Sequence, residues 1–148
     1  MDRRLWRYAT NGLFLLLALA MSGCNFTQPA FEQMTDNISG AFSAASTTLT
    51  YQHQGRLTRL YTTSSFENYA SELNGLDQRL PSQQGAPNRA KVQRLISFYQ
   101  KAMQAIENPC LESSCQWREQ VLVLNQAGKA FQEASGARKN GSLLHWVL

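Results

Sequence analysis

The chain has 148 residues, of which 43% are hydrophobic and 16% charged, with a formal net charge of +4 and three cysteines. This length suits one domain, and the apolar fraction excludes a wholly disordered tail protein. Three cysteines are too few for a small fold held together chiefly by disulfides.

Arg3, Arg4 and Arg7 give a positive start, and Leu13 to Met21 is an unbroken apolar run of nine residues. Such a run falls far short of the ~20 residues that span a bilayer as a helix. It fits the apolar core of a secretory signal peptide. Ser22-Gly23-Cys24 then sets two small residues directly before a cysteine. This segment resembles the signal peptide of bacterial lipoproteins, with Met21-Ser22-Gly23-Cys24 at the position of the lipobox. The resemblance covers residues 1–24. It implies that residues 1–23 are removed, that the Cys24 thiol carries a diacylglyceryl group, and that Cys24 begins the mature chain. Two or three acyl chains hold a protein stably on a membrane, where one does not. The resemblance therefore implies an extracytoplasmic protein, lipid-anchored at the cell membrane or the outer membrane. Asn25 stands where an aspartate would mark retention at the inner membrane in that family.

Loss of residues 1–23 removes Arg3, Arg4, Arg7 and Asp2, and the net charge falls to +2. No long run of like charges follows Cys24, so the basic footprint of a nucleic-acid binder is missing and no nucleic-acid partner is expected. Residues 24–29 read as the lipidated cysteine and a tether. Asn25 to Gln28 reaches only ~14 Å when extended, which would keep the following domain close to the bilayer.

Residues 30–135 read as a mainly α domain, a small up-down bundle of about four helices. Phe31, Met34, Ile38, Phe42, Ala45 and Leu49 recur at three- and four-residue steps, with Pro29 placed to start the helix. The stripe extends through His53, Leu57 and Leu60, with Gly55 as a point of interruption. Thr47 to Tyr51 also has strand propensity, so residues 47–63 are open between helix and hairpin. A second helix is expected from Ser64, where Ser64-Ser65-Phe66-Glu67 has capping-box spacing. Its face is Phe66, Tyr69, Ala70, Leu73, Leu76 and Leu80, and Pro81 to Pro87 ends it. Asn88 caps a third helix with the cleanest stripe, Val92, Leu95, Ile96, Tyr99, Met103 and Ile106, stopped at Asn108-Pro109. A fourth is expected from Ser113 or Ser114, with Trp117, Val121, Leu124, Phe131 and Ala134 on one face and Gly136 after its end. Gly128 inside it either costs ~1 kcal/mol or marks a close helix contact. Residues 136–148 form a basic, Gly-containing linker and an apolar segment, Leu143 to Leu148.

Cys110 and Cys115 lie in the turn between the third and fourth helices. In an oxidising compartment, with Cys24 lipidated, the remaining pair is expected to form a disulfide. No motif for a catalytic centre, metal site or cofactor is found, and none of these is expected. His53 falls on the apolar stripe and reads as a packed histidine. Glu32 and Asp36 sit one turn apart near a helix start, where they favour the helix dipole. The third helix carries Arg89, Lys91, Arg94 and Lys101 against Glu107 alone. This is a solvated face, or a contact for anionic lipid or an acidic partner. Trp146 and its apolar neighbours either join that contact or cover the open end of the core.

The expectation is thus a non-enzymatic interaction or accessory module at a membrane surface, with an envelope protein as partner. The alternative is a small-molecule carrier with an apolar cavity between helices, for which Tyr51, Tyr61, Tyr69 and Tyr99 would be polar contacts.

Overall fold

The computed structural model describes residues 30–83 and 85–136. The signal segment, Cys24 with its tether, and the apolar segment with Trp146 lie outside them. Helix α1 runs Ala30–His53 and α2 runs Arg59–Leu73. A short α3, Leu76–Arg79, passes into a 3-10 turn at Leu80–Ser82. Helices α4, Arg89–Glu107, and α5, Trp117–Ala134, complete the fold. Among the described residues there is no strand, and the four long helices form the expected mainly α bundle. Around the bundle the order is α1, α5, α4, α2, and the α1–α5 pair has the most extensive packing.

The core follows the stripes. Phe31, Ile38, Phe42, Ala45 and Leu49 of α1 are buried against Phe66 and Leu73 of α2, Leu95, Tyr99 and Ile106 of α4, and Leu124 and Phe131 of α5. Phe42 meets the Tyr99 ring edge-on at 5.8 Å and the Phe131 ring at 5.9 Å, which ties α1 to both α4 and α5. The Thr-rich stretch before Tyr51 is helix, not hairpin. Its hydroxyls fold back on the helix, Thr47 onto the Ser43 carbonyl at 3.0 Å and Thr50 onto the Ser46 carbonyl at 2.9 Å. Burial of Leu49 between them settles a local preference that pointed both ways.

Four boundaries differ from the sequence reading. Helix α1 stops at His53, because Gly55 turns the chain with φ +69°, so Leu57 and Leu60 do not extend its stripe. Helix α2 starts at Arg59, before the Ser64 capping box, because the Thr58 hydroxyl caps it by accepting from the Tyr61 N–H at 3.3 Å. Ser65 lies within that helix and donates to the Tyr61 carbonyl. The second helix breaks at Asn74-Gly75, with Gly75 at φ +73°, so Leu76 belongs to α3 and Leu80 to the 3-10 turn. Helix α5 begins at Trp117 instead of Ser113 or Ser114, because the chain from Glu112 to Cys115 turns within the disulfide loop. Helix α4 has the expected start, with the Asn88 side chain accepting from the Lys91 N–H at 3.1 Å.

Gly128 marks a close contact. A Cβ built on it would lie 2.9 Å from Ser43 Oγ and 3.5 Å from the Ser39 carbonyl oxygen of α1. The Ser39 hydroxyl donates to the Gly128 carbonyl at 2.8 Å, a bond buried between the two helices. Gly128→Ala meets mainly a rotatable hydroxyl and gains ~1 kcal/mol of helix propensity, so it should be near neutral. Gly128→Val would press a branched side chain onto the α1 backbone and should cost about 2 kcal/mol. Urea unfolding of the two variants measures the difference.

Candidate functional site

The chain direction gives the bundle two unlike ends. Helix α1 has 24 residues, so its ends are ~36 Å apart. One end holds the start of α1, the start of α4 and the finish of α5. The other holds the α1–α2 turn and the loop from Asn108 to Gln116, joined by the ion pair of Arg59 with Glu112 at 3.4 Å.

At this second end the loop is held from several sides. The Cys110–Cys115 disulfide closes it, with a Cα–Cα distance of 5.9 Å. From α1, His53 Nε2–H donates to the Cys110 carbonyl at 2.6 Å and Gln52 Nε2–H donates to the Leu111 carbonyl at 3.2 Å. From α5, Gln120 accepts from the Cys110 N–H at 2.8 Å and donates to the Asn108 carbonyl at 2.9 Å. The His53 ring also stacks on Trp117, 4.5 Å between centroids and 6° from parallel. His53 is thus the packed histidine expected from its place on the stripe. Three large side chains are exposed at the same end. Leu60 is 82% exposed and Tyr61 58%, and Tyr51, 37% exposed, lies under the Arg56 guanidinium at 4.2 Å.

At the first end, a groove of about 750 Å³ runs between α1, α4 and α5. Phe31, Leu95, Phe98, Ala130 and Ala134 give its apolar lining. Lys91, Arg94 and Lys129 stand along it with Glu32, Glu133 and Gln126. The four basic residues expected on one face of the third helix therefore divide. Lys91 and Arg94 line the groove, Lys101 lines a separate hollow beside the disulfide, and Arg89 lines neither. Lys129 is the cation that the sequence reading missed. Its spacing from Gln126, Ala130 and Glu133 is a helical face, but only the antiparallel packing of α5 brings that face beside α4.

The four tyrosines of the carrier reading do not gather around this groove, and none lines it. Tyr51 and Tyr61 are surface residues, and Tyr69 shares a 3.2 Å hydrogen bond with Thr48. Tyr99 is buried in the core, where its hydroxyl donates to the Leu73 carbonyl, a group left over at the end of α2. Burial pushes the Tyr99 phenol up to about 12, the Asp77 and Glu107 charges add to the rise, and a backbone hydrogen bond with Leu76 opposes it. Among the described residues no three His, Cys, Asp or Glu side chains gather closely enough to hold a metal ion. No helix among them is long and apolar enough to cross a membrane.

Two outcomes follow from these contacts. Cys110→Ser with Cys115→Ser, or reduction of the native protein, should cost about 2 kcal/mol by restoring freedom to the unfolded loop; denaturant unfolding with and without reductant reads it. Tyr99 ionises at higher pH when folded than its unfolded value of 10.0. Its contribution to stability should therefore be complete below pH 10 and be lost as pH rises through about 12. Tyr99→Phe should flatten that part of the stability–pH curve.

The chain matches no protein-family model, curated protein or solved structure.

Proposed function

We propose that this protein is a lipid-anchored lipoprotein of a bacterial envelope, acting as a non-enzymatic interaction module that holds a protein partner near the membrane. Met21-Ser22-Gly23-Cys24 supports the anchor, with Cys24 as the acylated residue. The observation that carries the interaction reading is the exposure of Leu60 and Tyr61, consecutive residues in the first turn of α2. Tyrosine and arginine are the residue types enriched in binding hot spots, and Leu60 adds exposed apolar area next to them. Arg56 and Arg59 flank Leu60 and Tyr61 in sequence. The patch lies at the end of the bundle away from the start of α1, and so away from the tether. An anchored domain would present it outward. Anchoring would raise the local concentration of one partner for another on the same membrane.

The test uses a photocrosslinking residue at Leu60 and, as a control, at the exposed Gln100 of α4. In intact envelopes Leu60 should give a discrete protein adduct that Gln100 does not, and Tyr61→Ser should abolish it. Since Tyr61 is exposed, that substitution should leave stability within about 0.5 kcal/mol. Cys24→Ala should release the protein from the membrane fraction and weaken the adduct. Equal adducts at Leu60 and Gln100, or a Leu60 adduct indifferent to Tyr61→Ser, would refute the interaction reading.

A further inference from the structure

The groove at the tether end has a chemistry of its own. We propose that it binds one acyl chain of an anionic phospholipid, with the chain along the half-buried Phe98, Ala130 and Ala134 and the headgroup at Lys91, Arg94 and Lys129. This rests on the anchor reading only for its source of ligand, the membrane to which Cys24 would hold the domain.

Three observations carry it. Size comes first: about 750 Å³ lies within the range of small-ligand sites and offers room for a single acyl chain. Charge comes second. Three cations face two carboxylates, Glu32 and Glu133. The groove thus favours an anion even with its own acids counted. Arrangement comes third. The Arg94 guanidinium lies 5.7 Å from the centre of the Phe98 ring, so a cation and the apolar lining adjoin, as an amphiphile requires. A phospholipid matches both halves, and the short tether would bring this end of the bundle to the bilayer surface.

A photocrosslinking residue in place of Gln126, an exposed position on the groove, reads the occupant in the full-length protein. After irradiation in intact envelopes, mass spectrometry of the α5 peptide should find a phospholipid adduct. The same residue at Gln100 should give little. Arg94→Glu with Lys129→Glu should lower the adduct about tenfold. Both residues are exposed, and unchanged unfolding midpoints would confirm that the bundle remains intact. A crosslink from Gln126 to the peptide containing Leu143 to Leu148 would overturn the proposal by assigning the groove to the chain's own apolar segment. A protein adduct, no adduct, or a lipid adduct indifferent to the charge reversals would overturn it as well. The mass of the peptide that carries Cys24, from the same digest, separates the two readings. An acylated Cys24 without a groove adduct refutes the groove alone, and a groove adduct beside an unmodified Cys24 refutes the anchor alone.

Discussion

The packing of α5 against α1, closest at Gly128, is the contact on which the rest of the bundle depends. With no side chain at Gly128, α5 lies against the backbone of α1, and the Ser39 hydroxyl reaches the Gly128 carbonyl across the gap. The Ser39–Gly128 bond and the Phe42–Phe131 contact share one antiparallel register along the pair. In that register Gly136 comes beside Glu32 at one end, and Trp117 stacks on His53 at the other. A slip of one turn would move Trp117 off His53 and place side chains where Gly128 leaves space. The groove also depends on it, since its α5 residues reach Lys91 and Arg94 only through this packing.

The two ends of the bundle differ in their chemistry. At the end with the disulfide, covalent closure and a set of side chain-to-backbone hydrogen bonds stiffen an irregular loop. Leu60 and Tyr61 beside it gain nothing from the fold by their exposure. The end at the start of α1 is instead concave and basic. A domain tethered there would turn its cationic groove toward anionic lipid and its apolar patch away from it.

Much of this fold is legible in the residue pattern, for reasons that can be named. The α4 stripe from Val92 to Ile106 has a cap at Asn88 and a stop at Asn108-Pro109, so local and tertiary preferences agree. His53 and the Cys110–Cys115 pair also read correctly, since a stripe position and two cysteines close in one turn leave few alternatives. The misplaced boundaries have a common cause. Thr58 and Ser64 are both competent caps, and tertiary packing of Thr62 and Phe66 selects the earlier one. Likewise Ser113 and Ser114 could open a helix, but the disulfide holds the chain around them in a turn. The groove was half legible. Lys91 and Arg94 stand out within one helix, but Lys129 joins them only through contacts far apart in sequence, which no local pattern encodes.

Orientation at the membrane is the claim on which the functional account turns. Nitroxide labels placed singly at Gln126 and at Leu60 of the full-length protein, reconstituted in anionic vesicles, read it by electron paramagnetic resonance. The account predicts that the Gln126 label is relaxed by membrane-soluble oxygen while the Leu60 label is relaxed only by a water-soluble reagent. Equal exposure of both labels to the aqueous reagent, or the reverse pattern, would contradict it.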